Sequence, residues 1–166
     1  FPLIFEELGW GDSGLAIATL ASSIPAFTAH TTGDPQIIER FGSLPGCWLA
    51  TQPDRGSDVV DMDATEVKSN TVQSKGNLSA RFDGDAYVIS GQSAAWVSYA
   101  PLAQTAMAYL PCDYGDGFYK EGEQGMHHVG ILIPLDLPGV SKGKPLDMHG
   151  QRPLPQGEVF FDEVRV

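Results

Sequence analysis

Leu78-Ser79-Ala80-Arg81-Phe82-Asp83-Gly84-Asp85-Ala86-Tyr87-Val88-Ile89-Ser90-Gly91 sets two short β-prone runs on either side of Asp-Gly-Asp. Aromatic and β-branched residues suit a pleated surface, and the Asp/Gly pair supplies the tight connection of a hairpin. Side chains alternate along a strand, so Tyr87 and Ile89 are expected on one face and Ala86 and Val88 on the other, with Gly91 ending the second run. The same texture extends from Gly46 onward, where short runs are separated by Gly, Pro and Asp. That spacing predicts about six to eight strands in a sandwich or barrel. Residues 129–133 are continuously apolar and are expected to form a strand buried on both faces, with Pro134 and Pro138 bounding the turn after it. In the last run Val159 and Phe161 share a face, but Val164 and Val166 are one residue out of step, as a β-bulge would cause. Residues 112–125, rich in Gly, Asp and Glu, read as an exposed loop.

Upstream the period changes. Ala16, Ile17, Leu20, Ala21, Ile24 and Phe27 recur at spacings of three and four after Asp12-Ser13, which predicts an amphipathic helix with an N-cap. Asp34-Pro35, the run to Phe41 and then Gly42 predict a second, short helix with a capping carboxylate, Pro at its first position and Gly at its exit. Two small helices bury little alone, so they are expected to pack on the β-region or on further helices. The fold expectation is therefore mainly β: an antiparallel β-barrel or sandwich over residues 45–166, preceded by two short α-helices within residues 1–44.

A chain of 166 residues, 42% hydrophobic and 19% charged, is long enough for one principal folding unit with a core and unlike a disordered or fibrous sequence. Its formal net charge of −11 repels phosphate backbones and anionic lipid surfaces, which argues against a nucleic-acid partner. An anionic ligand would need local backbone N–H groups, hydroxyls and single basic residues. Cys47 and Cys112 are far apart and form neither a disulfide framework nor a zinc-ligand spacing, which fits a reducing cytoplasm. No stretch has the length of a membrane span. The start at Phe1-Pro2 without Met suggests a piece of a longer protein.

Chemistry is concentrated in Cys47-Trp48-Leu49-Ala50-Thr51-Gln52-Pro53-Asp54-Arg55-Gly56-Ser57-Asp58, a strand that runs into a Pro-bounded turn. Unpaired backbone N–H groups, the Thr51 and Ser57 hydroxyls and Arg55 suit a heteroaromatic edge and a phosphate. An ordinary turn closed by Ser57 or Asp58 accounts for the same residues.

This segment resembles the acyl-CoA dehydrogenase pattern of an aromatic or small run, Thr-Glu-Pro, two residues and Gly-Ser-Asp. Three further pieces resemble that family in order. Glu6-Glu7-Leu8-Gly9 with the helix after it is similar to the end of the N-terminal helical domain. Tyr87-Val88-Ile89-Ser90-Gly91-Gln92, leading to Trp96-Val97-Ser98, is similar to the Tyr-x-Ile-Asn-Gly-x-Lys-x-Trp-Ile-Thr strand pair. Pro138-Gly139-Val140, Gly150-Gln151-Arg152 and residues 159–166 are similar to the closing strands of the middle domain. The resemblance implies FAD, with Trp48, Ala50 and Thr51 along the isoalloxazine, Trp96 and Val97 packed beside it, and Ser98 near the reactive nitrogen. It implies Ser57 close to coenzyme A or the cofactor pyrophosphate, with Arg55 a second substrate-side candidate that could equally pair with Asp54 or Asp58. A core role for Trp96 is compatible with all of this.

The resemblance further implies oxidation of an acyl-CoA thioester to the 2,3-enoyl-CoA by a full-length homo-oligomer, dimer or tetramer. A carboxylate removes the α-proton while the β-hydride passes to flavin. In the family that Glu lies in the following C-terminal helical domain, so no catalytic residue is assigned here and these residues alone are expected to be inactive. Glu121 and Glu123 are expected to be solvated loop residues. Gln52 stands where Glu is common, Ser93 where Lys is usual, and one extra residue precedes Trp96, which a bulge would absorb. The span from Asp61 to Leu78 is longer than the family's.

His127-His128 would face opposite sides of a strand, and His149 sits in a turn, so no metal site is expected. Two other functions remain open. A flavin-dependent monooxygenase or nitroalkane oxidase would share the flavin wall without the thioester, and a non-catalytic β-barrel binding module would carry no flavin.

Overall fold

The computed structural model describes residues 2–56, 75–119 and 126–166. Three helices come first: α1 (Pro2–Gly11), α2 (Ser13–Thr32) and α3 (Pro35–Phe41). Both expected N-caps form. The Asp12 carboxylate accepts from Leu15 N at 3.0 Å, and the Asp34 carboxylate accepts from Gln36 N and Ile37 N at 2.8 and 3.3 Å. Gly33 closes α2 in the left-handed conformation, φ 69°. The sequence reading omitted α1, whose Leu3, Ile4, Leu8 and Trp10 are exposed, so no one-sided burial pattern marks it.

Helix α2 turns a side to the sheet that differs from the expected one. Ala16 and Ala21 are buried as anticipated, but they belong to a stripe of small residues with Gly14, Ala18, Pro25 and Ala29. Ile17, Leu20 and Phe27 are exposed. The reason is close approach: a Cβ on Gly46 would lie 2.4 Å from the Pro25 ring. With helix and strand that near, bulky side chains have no room between them.

Among the described residues nine strands follow: β1 (Gly46–Leu49), β2 (Ser79–Phe82), β3 (Tyr87–Gln92), β4 (Val97–Ser98), β5 (Thr105–Asp113), β6 (His128–Pro134), β7 (Val140–Lys142), β8 (Gln156–Gly157) and β9 (Val159–Arg165). The mainly-β expectation with preceding helices holds. The sheet is mixed, however, because β5 runs parallel to both β1 and β2 while pairing antiparallel with β6. Its order is β1-β5-β2-β3-β9-β7, with β6 on β5 and β4 paired separately with β8, and no closed barrel forms among the described residues. Pro111 marks the place where β5 changes partner. Cys112 N donates to His127 O, so the neighbouring backbone nitrogen, that of Pro111, points to the opposite edge, between the last β1 contact at Ala108 and the first β2 contact at Cys112. A residue without N–H costs least there.

The β2–β3 hairpin has the expected register, Phe82 opposite Tyr87, and its turn is closed by the Asp83 carboxylate, which accepts from Asp85 N and Ala86 N. Ile89 and Val88 are both buried, so both faces of β3 are covered at that point. Strand β3 continues through Gly91 to Gln92. The bulge expected near the C-terminus is present: pairing with β3 shifts between Phe161 and Val164, leaving Val159, Phe161 and Val164 all buried. Strand β6, expected to be buried on both faces, has only Ile133 fully buried. Among the described strands it pairs with β5 alone. Cys112, assigned from sequence to an exposed loop, is buried in β5, and residues 120–125 of that stretch lie outside the described residues.

Candidate functional site

Strand β1 alternates, with Cys47 and Leu49 in the core and Trp48 turned outward at 42% exposure. On the neighbouring β4, Val97 faces inward while Trp96, just before it, is 59% exposed. Exposed aromatics that border one contiguous apolar patch mark a binding surface. Both border one groove, lined by Ile17, Leu20, Ala21 and Ile24 of α2, by Trp48, Ala50 and Thr51, and by Trp96, Val97 and Ser98, with a volume near 370 Å³. Six of the motif residues singled out from sequence, Trp48, Ala50, Thr51, Trp96, Val97 and Ser98, thus come together. The α2 wall is not evident from helical periodicity, in which Ile17, Leu20 and Ile24 read as part of a core stripe. The signal was in the sequence: the small residues of α2 fall on one side and the bulky ones on another.

Among the described residues no protein group engages the hydroxyl of Thr51 or of Ser98. Among the described residues the lining carries no charged side chain. A flat apolar ligand with a few acceptors matches this combination of wide hydrocarbon walls and two free hydroxyls. An isoalloxazine fits that description.

The two β walls are joined through backbone and side chains. Thr51 O accepts from Ala94 N at 2.9 Å. The residues after Thr51 form a tight turn in which Gln52 N donates to Arg55 O at 2.8 Å and Arg55 N returns to Gln52 O at 3.4 Å. The buried Gln52 amide then pairs with Leu78 as a strand backbone would, Nε2 donating to Leu78 O at 3.0 Å and Oε1 accepting from Leu78 N at 2.8 Å. Ser93, in the stretch between β3 and Trp96, is fully buried. Its N–H donates to Val159 O, and its Oγ accepts from Val159 N at 2.9 Å. A lysine in that slot would have no solvent to reach.

Arg55 lies outside the groove lining. Only 7% exposed, it packs in the turn, and a Cβ on Gly76 would come 2.9 Å from its Cδ. The expectation of an Arg55 pairing in open solvent is therefore corrected by its burial. Ser57, Asp58, Glu121 and Glu123 lie outside the described residues. His127 Nε2 is 3.6 Å from an Asp116 oxygen, His128 Nδ1 is 2.9 Å from Met126 O, and His149 is exposed. Among the described residues no three His, Cys, Asp or Glu side chains gather as metal ligands, and no helix is long and apolar enough to cross a membrane.

No family profile matches the chain. It is 28% identical over 169 residues to benzylmalonyl-CoA dehydrogenase of Aromatoleum aromaticum, covering 98% of this chain and 38% of the relative. It is 27% identical over 171 residues to glutaryl-CoA dehydrogenase of Desulfococcus multivorans, covering 99% and 38%. The structure of a glutaryl-CoA dehydrogenase in complex with glutaryl-CoA superposes with a TM-score of 0.73 at 25% identity, over 98% of this chain and 38% of that one. The chain thus spans 38% of the length of these relatives.

Proposed function

We propose that this chain is the flavin-facing part of an acyl-CoA dehydrogenase, the family to which its relatives and structural neighbours consistently point. In this reading residues 1–44 are the end of the N-terminal helical domain and residues 45–166 the middle β-domain. The observation that carries it is the groove: motif residues from 48–51 and 96–98, distant in sequence, line a single apolar slot with two hydroxyls.

FAD, as the bound group, supplies the acceptor for the β-hydride of an acyl-CoA thioester, which leaves as the 2,3-enoyl-CoA. The chain's own residues hold and orient it. Trp48, Trp96 and the α2 residues Ile17, Leu20 and Ile24 give the slot apolar walls and exclude water, which strengthens every polar contact inside. Thr51 and Ser98 offer donors where negative charge collects on the reduced ring. Val97 and Ala50 set the floor. Ser57 is assigned to the coenzyme A or pyrophosphate side, and Arg55 to the support of that turn. No carboxylate lines the groove among the described residues, so the base that takes the α-proton is assigned to another part of the full-length protein, and these 166 residues alone are expected to be inactive.

The test is the visible spectrum of the full-length protein before and after anaerobic addition of a panel of saturated acyl-CoA thioesters. Bleaching of a bound flavin is expected, and the thioester that bleaches fastest identifies the substrate class. A yellow protein indifferent to thioesters would point to a monooxygenase or nitroalkane oxidase on this scaffold. A colourless one would leave a binding module.

A further inference from the structure

Asn77 and Leu78 are held from two sides. On one side are the turn residues after Thr51: the Gln52 amide brackets both backbone groups of Leu78, and the Asp54 carboxylate accepts from Asn77 N at 3.1 Å. On the other is the strand leading to Trp96: Asn77 Oδ1 accepts from Gln92 N at 2.8 Å, and Gly91 passes so close that a Cβ would lie 2.1 Å from Asn77 O. The span from Gln52 to Gln92 through two residues is therefore fixed by side chains standing in for strand backbone.

We propose that Gln52 and Asn77 form a clasp that sets the distance between the Thr51 wall and the Trp96 wall, and that Gln52 is a positioning residue for the flavin slot. This rests on the flavin reading above. Gln52 is 3% exposed and does not itself line the groove, so any effect on a ligand must pass through the walls, beginning with its chain neighbour Thr51. The neutral amide matters because it must donate and accept at once. A carboxylate in its place accepts from Leu78 N but meets Leu78 O with no proton to give. That distinguishes this chain from the Glu-bearing pattern it otherwise resembles: here the clasp is complete on both backbone groups.

The experiment compares FAD retention and the visible band shape of the full-length protein with those of Gln52→Met, Gln52→Glu and Asn77→Ala. Ile133→Val on β6, away from the groove lining, serves as a stability control. Gln52→Met and Asn77→Ala should each weaken FAD binding about tenfold or more, since the first leaves both buried backbone groups of Leu78 unpaired and the second releases Gln92 N, so that in each a wall can move. Gln52→Glu, keeping one of two bonds, should fall between. Combining Gln52→Met with Asn77→Ala should lose less than the product of the single effects, as expected of one shared device. Ile133→Val should lower the melting temperature and leave flavin affinity and band shape as in the wild type. If the clasp variants retain flavin as well as the control does at equal loss of melting temperature, Gln52 positions nothing. If the wild type never takes flavin, the functional reading itself falls and takes this inference with it. Should Gln52→Met fail to fold, Gln52→Glu and Asn77→Ala decide between these results.

Discussion

Replacing Gly91 by alanine is the sharpest single perturbation of the fold around the groove. Gly91 has φ 113°, a conformation that costs an L-residue about 1–3 kcal/mol. The added methyl would also sit 2.1 Å from Asn77 O, 2.8 Å from Asn77 C and 2.9 Å from Leu78 Cα, all backbone atoms that cannot rotate away. Residues 77–78 must shift, and with them the bonds to Gln52, Asp54 and Gln92. Leaving even one buried group unpaired adds about 1–3 kcal/mol. The sum is about 2–6 kcal/mol, which in a chain of this size lowers the melting temperature by about 4–24 °C. Gly84→Ala is the matched control: φ is 95°, and no atom stands within 4 Å of the added Cβ. It bears backbone strain alone and should lose about 1–3 kcal/mol. The assay is thermal unfolding followed by circular dichroism for the wild type and both variants in one buffer. A Gly91→Ala protein melting no lower than Gly84→Ala would refute the close contact between the residue 91 backbone and Asn77.

Ser93→Ala should cost about 1–3 kcal/mol by urea unfolding, because it strips the buried Val159 N–H of its acceptor. Ser93→Lys, which restores the residue usual in the resembled pattern, should cost more, since an ammonium would enter a fully buried position. Equal stability of Ser93→Lys and wild type would contradict the burial of Ser93 against Val159. Burial pushes the Cys47 thiol up to about 12, with the Lys142 ammonium opposing it more weakly. A thiol whose folded value is raised contributes stability that is complete below its unfolded value of about 8.5 and is lost as pH rises from there towards about 12. The urea midpoint should therefore decline between pH 8 and 10, less steeply in Cys47→Ala, and native Cys47 should resist alkylation. Rapid labelling of Cys47 at neutral pH in folded protein would show that β1 opens.

What the sequence made legible was whatever alternation or capping decides locally. The 78–91 hairpin followed from two alternating runs around an Asx turn, both N-caps from a carboxylate ahead of a periodic segment, and the bulge in β9 from one slipped step between Phe161 and Val164. Pairing partners are a different matter, because alternation gives the face of a strand and not its neighbour. Nothing in residues 46–49 or 79–82 says that both lie parallel to β5, although Pro111, read as a gap in the ladder, hints at a change of partner. For α2 the 3.6 period predicted a helix but not the side that meets the sheet. Hydrophobicity argued for Ile17, Leu20 and Phe27, and the contact went to Ala, Gly and Pro because β1 approaches too closely for anything larger.

That inversion also builds the site. Had α2 packed by its bulky side chains, Ile17, Leu20 and Ile24 would have been spent on the core, and Trp48 and Trp96 would face each other with no third wall. The small-residue stripe brings the helix down onto β1 at Gly46 and leaves the large side chains free to wall the groove. The motif residues could be found from sequence because they recur as ordered words. The parts that hold them could not, because Gln52 and Asn77 act on backbone groups up to 26 residues away and carry no periodic or compositional signal. In a chain of net charge −11, the lining has no ionised side chain among the described residues, and the parts behind it are two amides, the Ser93 hydroxyl and the Asp54 carboxylate. On the flavin reading proposed above, a slot so built would give a reduced, negatively charged ring no carboxylate in its described lining, and short-range donors at Thr51 and Ser98 would act there against the field of the whole chain.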